Sequence, residues 1–126
     1  MGFDQERTAH HFLLFKDGGA IEVGVKDAAD TTNRQAIRSH LSHIATMFGS
    51  GNFDAPMLVH DSASVPGTRI MTARKDVIRY QYTETPNGGR VSIATSDPEA
   101  LKAVHAFLKY QIAEHKTGDP ATVRAR

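Results

Sequence analysis

Apolar and polar positions along this chain follow two rhythms, and the rhythms come in the same order twice. Residues His10 to Phe15 form a short apolar run, Lys16-Asp17-Gly18-Gly19 supplies turn chemistry, and Ile21, Val23 and Val25 alternate with Glu22 and Gly24. A period of two around a glycine-rich turn predicts a β-hairpin. Asp30-Thr31-Thr32 then offers capping side chains, and Ile37, Leu41, Ile44 and Phe48 recur at helical spacing. They predict a helix over 33–48, with Gly49 just past its end.

The second pass begins less regularly. Pro56 to His60 is expected as a third strand, 61–67 as an irregular segment punctuated by Pro66-Gly67, and 68–75 fits no single period. Val77 to Glu84 and Val91 to Thr95, joined by Pro86-Asn87-Gly88-Gly89, predict a second hairpin. Ser96-Asp97-Pro98-Glu99 is a helix start, since proline suits the first helical position and Asp97 or Ser96 can cap it. Leu101, Val104, Leu108 and Ile112 then make the buried stripe of a helix over 98–115.

Two hairpins and two amphipathic helices are most economically joined as an α+β two-layer sandwich. Its antiparallel sheet of four to five strands would carry both helices on one face, and an internal ββα-ββα repeat is expected. The domain is expected to span 1–116, with 117–126 a polar, mobile C-terminal tail carrying Gly118 and Pro120. The first strand is two-faced: His11, Leu13 and Phe15 point one way, and Phe12 and Leu14 the other. One helical layer cannot cover both faces, so a homodimer is expected.

Composition narrows the chemistry. A chain of 126 residues sits in the one-domain range and can bury roughly two thirds of its unfolded surface. The absence of cysteine excludes disulfides, thiolate nucleophiles and thiolate metal sites. With 15 basic and 14 acidic residues interleaved, no global field favours nucleic acid or anionic lipid. No apolar run is long enough to span a bilayer, so no membrane insertion is expected, and Met1-Gly2-Phe3-Asp4 has none of the character of a signal peptide.

Hydrolase motifs are lacking as well: there is no GxSxG, and Ser62 and Ser64 have no indicated triad partner. Gly49-Ser50-Gly51-Asn52 follows a helix C-terminus, whose partial negative charge disfavours phosphate. Arg69, Arg74, Lys75 and Arg79 lack interleaved aromatics and read as a solvated face. No organic cofactor is indicated, and whether the chain is an enzyme stays open.

What remains unusual is seven histidines, at 10, 11, 40, 43, 60, 105 and 115. His105 falls about 50° from the centre of the last helix's stripe, so it should be at least partly buried, either as a neutral core imidazole satisfied by one backbone carbonyl or hydroxyl, or in a ligand or catalytic role. His115 is ten residues on, roughly 15 Å away, and suits the helix C-terminal carbonyls. His40 and His43 have the i, i+3 spacing that lets two imidazoles share an ion, although His43 should be solvated. His10 and His11 point to opposite faces, and His60 ends a strand beside Asp61.

Several segments, among them Thr8-Ala9-His10-His11-Phe12, Asp17-Gly18-Gly19, Ile37-Arg38-Ser39-His40-Leu41, Val65-Pro66-Gly67, Val104-His105-Ala106-Phe107-Leu108 and Glu114-His115-Lys116-Thr117-Gly118-Asp119, resemble a family of small bacterial proteins of unknown function. Its members are sometimes labelled aspartate carbamoyltransferase, a label this chain is too short to support. The likeness covers nearly the whole chain and implies an exported domain without naming a reaction. It implies a periplasmic or secreted location if the chain is a trimmed mature domain, and a cytoplasmic one if it is full length.

Two functions follow from these patterns. The first is histidine-based binding of copper or zinc, with His11, His60 and His105 as ligands, His40 as an alternate and water or Asp61 completing the shell. The second is a metal-free module that dimerises or binds a small apolar ligand, its histidines serving as structural hydrogen-bonding groups.

Overall fold

The two hairpins form because each glycine pair lets the chain turn back within two residues, after which β-branched positions pair across the strands. A computed structural model of the protein describes residues 7–53, 65–115 and 117–124. Strands β1 (Thr8–Phe15) and β2 (Gly18–Val25) make the first hairpin, and β3 (Ile78–Thr85) and β4 (Gly88–Thr95) the second. The turns are tighter than expected, because Gly18-Gly19 and Gly88-Gly89 open the returning strands. A two-residue strand, β5 (Val123–Arg124), completes the sheet order β3-β4-β2-β1-β5. Every pairing is antiparallel except β5 on β1.

The strand register has two-fold symmetry. Both hairpins keep the same spacing, offset by 70 positions (78 − 8 and 88 − 18), so Thr8 faces Val25 as Ile78 faces Thr95. Where the hairpins meet, Gly18 faces Ala94 and Gly24 faces Gly88, which the same offset interchanges. Among the aligned strand positions only the glycine pairs match, so the correspondence is one of geometry and does not establish a duplicated sequence.

Helix α1 (Thr31–Gly49) and helix α3 (Pro98–His115) lie where the two helices were expected, on one face of the sheet, and a shorter α2 (Thr68–Ala73) leads through a single 3-10 turn over 75–77 into β3. The caps follow from side-chain chemistry. Asp30 accepts the Asn33 N–H at 3.2 Å, and Asp97 accepts the Ala100 N–H at 2.8 Å. Asn33 also donates its side-chain amide to Asp30, and chiefly for that reason Asp30 is held below the usual carboxylate range. The end of α1 differs from expectation: Gly49 is its last residue, Ser50 caps it, and the left-handed turn falls on Gly51, φ 83°. That turn sends Phe53 back onto Phe48 at 4.5 Å between ring centroids, and both meet Phe107 of α3.

Each helix covers the hairpin of the other half, α1 lying over β3 and β4 and α3 over β1 and β2. One core results, from Phe12, Leu14, Ile21 and Val23 on the sheet to Ile37, Leu41, Ile44, Val104, Phe107 and Leu108 on the helices. The buried stripe of α3 is rotated from the expected one, since Leu101 is only partly buried while Gln111 is 1 % exposed. The tail also departs from expectation: residues 117–124 run along the free edge of β1, where Asp119 accepts the Phe12 N–H at 3.1 Å and β5 pairs with Leu14 and Phe15. A carboxylate and two strand residues thus satisfy an edge that would otherwise stand open.

The two-faced first strand finds most of its cover within the chain. Phe12 and Leu14 enter the core, and on the other face Phe15 is only 6 % exposed and Leu13 partly buried, so this pattern does not by itself require a second copy. The expected third strand, Pro56 to His60, lies outside the described residues. Among the described residues no helix is long and apolar enough to cross a membrane.

The close approach of helix to sheet depends on two glycines. A Cβ on Gly19 would strike Leu108 of α3 and the Leu13 carbonyl, and one on Gly89 would meet Leu41 of α1 at 3.2 Å. Gly19→Ala should therefore destabilise the fold by about 1–3 kcal/mol in urea unfolding, as overpacked cores do. Gly49→Ala, with open space around its Cβ, should be neutral or better.

Candidate functional site

Alternation divides β1 cleanly: His10 faces the helical layer with Phe12 and Leu14, whereas His11 stands on the helix-free face. On that face one row crosses the sheet through His11, Glu22, Arg90 and Thr83, each directly opposite the next. Directly opposed side chains sit with Cβ atoms roughly 4.5–5.5 Å apart, close enough to act together. Arg90 donates from Nε and Nη2 to Oε2 of Glu22 at 3.1 and 2.7 Å. Among the described residues the second oxygen of Glu22, Oε1, takes no hydrogen bond.

His11 is fixed from its other side. Its Nδ1 lies 2.9 Å from Oδ1 of Asp119, whose Oδ2 accepts the Phe12 N–H. An ionised carboxylate accepts only, so Nδ1 donates to it, and in the neutral imidazole Nε2 is then the acceptor. Burial pushes the Asp119 carboxyl up, but hydrogen bonds from Thr117, His11 and the Phe12 main chain outweigh it and hold it below its usual range. Beside this pair lies a hollow of about 260 Å³ walled by Ala9, His11, Glu22, Gly24, Pro86 and Asn87.

His105 is placed quite differently. Its Nε2 lies 2.7 Å from the Phe15 carbonyl and 3.0 Å from the Gly18 carbonyl, at the two ends of the first turn. Two acceptors require Nε2 to carry the proton. The second hairpin has the same arrangement, since Arg38 of α1 donates to the Thr85 and Gly88 carbonyls at 2.8 and 2.9 Å. Thr85 and Gly88 stand 70 positions beyond Phe15 and Gly18, and His105 stands 67 beyond Arg38 (105 − 38), as Val104 does beyond Ile37. His105 is the counterpart of an arginine that ties a helix to a turn.

The three expected metal ligands are therefore not assembled by the described residues. His11 and the carbonyl that holds His105 are four strand residues apart, roughly 13 Å at 3.3 Å per residue, too far for one ion. His60 lies outside the described residues, as does Asp61. His43 is exposed as expected, and His40 is half-buried, its pKa lowered chiefly by burial. No group of three or more His, Asp or Glu side chains suited to a metal occurs among the described residues.

Two phenols on the inner face of β3 are a second candidate. The Tyr80 and Tyr82 hydroxyls are buried and take no hydrogen bond among the described residues, and burial raises both above the usual phenol range. Both therefore stay protonated at neutral pH, and neither can serve as a base there.

The sequence reading missed Asp119, Glu22 and Arg90. The hairpin registers could have set Glu22 opposite His11 and Arg90 opposite Thr83, but the Glu22/Arg90 pairing depends on how the two hairpins dock, and Asp119 on a tail folding back 108 residues. No protein-family model, curated protein or solved structure matches the chain.

Because the Asp119 pKa is lowered in the fold, its stabilising effect is complete above the unfolded carboxyl pKa near 3.9 and is lost as pH falls through the folded value. The protection of the Phe12 amide, the slowing of its exchange relative to the intrinsic rate at each pH, should be high at neutral pH and should fall on acidification through that window. Asp119→Asn should lower it already at pH 7 and cost about 1 kcal/mol of stability. Unchanged Phe12 protection in that variant would show that the tail is held by something else.

Proposed function

We propose that this chain is a metal-free small-ligand-binding module whose histidines serve as hydrogen-bonding groups, with the hollow beside His11 as its binding place. The observation that carries this reading is the commitment of His105 Nε2 to two main-chain carbonyls. A metal ion at that nitrogen would have to displace its proton and leave both acceptors unsatisfied, at about 1–3 kcal/mol each. The same proposal includes membership of the small exported bacterial proteins that the motifs resemble, a likeness that supplies no reaction.

One observation favours the copper or zinc reading. Asp119 holds His11 Nδ1 as carboxylates hold the far nitrogen of metal-bound imidazoles, and so presents Nε2 outward. Protein purified without a tag, loaded with copper or zinc and dialysed, decides between the two. Elemental analysis should find well under one equivalent, and calorimetric titration should give the same weak isotherm for wild type and His11→Ala. One tightly held equivalent that is lost in His11→Ala would overturn the metal-free reading.

A further inference from the structure

The hollow beside His11 has a chemical character of its own. Its polar wall includes His11 and Glu22, directly opposed on neighbouring strands, and among the described residues His11 Nε2 and Glu22 Oε1 take no hydrogen bond. Arg90 lies on the far side of Glu22 and donates from Nε and Nη2 to its Oε2. With His11 neutral, the formal charges of Asp119, Glu22 and Arg90 leave the cluster one negative charge in excess. The opposite wall is different: Ala9 and Gly24 make a floor of small groups, and Pro86 an apolar side. The neighbouring valines, Val23 and Val25, belong to the core on the other face and offer only main chain here.

A metal ion needs three or more protein ligands at such a site, and among the described residues no group of three or more His, Asp or Glu side chains suited to one occurs. A carboxylate or phosphate would meet the lone pairs of two acceptors and the excess negative charge of the cluster. A tetrahedral ammonium fits, because it points one N–H at each acceptor, keeps a third for water or for the Asn87 side chain, and brings the missing positive charge. A short alkyl tail would then lie on Ala9, Gly24 and Pro86. At about 260 Å³ the hollow holds an amine of a few carbons and nothing the size of a nucleotide.

We propose that this hollow binds small primary alkylamines in their ammonium form, held between His11 Nε2 and Glu22 Oε1. The proposal rests on the metal-free reading above and adds the class of ligand. The test is a titration of the whole chain, labelled with nitrogen-15 and held at pH 7.5 and constant ionic strength, with butylammonium, butanol or butyrate. Butylammonium should shift the Ala9, Gly24 and Asn87 amides saturably, while butanol and butyrate leave them in place. Glu22→Gln should weaken that binding about tenfold, the loss of one charge-assisted hydrogen bond, with amide positions outside the row unchanged.

Butanol or butyrate shifting these amides as strongly as butylammonium would overturn the amine class while leaving a ligand site in place. Silence from all three probes would overturn the proposal outright. If copper or zinc alone moved the same amides, the metal-free reading would fail with it. Full affinity for butylammonium in both Glu22→Gln and His11→Ala would show that the two acceptors do not hold the amine.

Discussion

Each turn of this sheet ends in two main-chain carbonyls that face the helical layer, and a buried carbonyl without a donor is costly. The fold meets that constraint by sending a side chain across from the opposite half. Arg38 of α1 binds the turn of the second hairpin, and His105 of α3 binds the turn of the first. Because each helix follows one hairpin in sequence and covers the other in space, the halves hold one another. Each hairpin takes most of its helical cover from the other unit. Gly19 under Leu108 and Gly89 under Leu41 let the helices come close enough for these contacts.

With both helices on one face, the other face carries small and polar residues apart from Leu13 and Phe15 of β1, and there the two halves differ. The first contributes His11 and Glu22, the second Arg90 and Thr83, in one row across the four strands. The C-terminal segment breaks the symmetry further by docking on β1, so that Asp119 both closes the strand edge and orients His11. The carboxylate that completes the fold at this edge also sets which nitrogen of the imidazole faces solvent. Structure and candidate chemistry meet in one residue.

Most of the architecture was legible in the residues because it depends on local periodicity. Ile21, Val23 and Val25 named a half-buried strand, and Asp97-Pro98 named the start of α3. The errors have physical causes. Gly49 looked like the helix end because it was the first glycine met, but the left-handed turn fell two residues later on Gly51. The stripe drawn through Leu101, Val104, Leu108 and Ile112 left out Gln111, which sits at 1 % exposure, because it missed the rotation that comes with Phe107 packing against Phe48 and Phe53. His105 was correctly expected to be partly buried, yet its acceptors lie 90 and 87 residues away, beyond the reach of any local pattern. The tail was polar and carried Gly118 and Pro120, which signals mobility and says nothing of Asp119 meeting β1.

The central claim is that His105 is a structural donor, the counterpart of Arg38, and the protonation of its ring nitrogens tests it most directly. Two-dimensional proton–nitrogen spectra of the imidazoles at pH 7.5, with His105 assigned by comparison with His105→Gln, report which nitrogen holds the proton. The account predicts the Nε2–H tautomer, with that proton slow to exchange and shifted as expected for a donor to carbonyls. A deprotonated Nε2, with the proton on Nδ1 or with copper or zinc in its place, would contradict it.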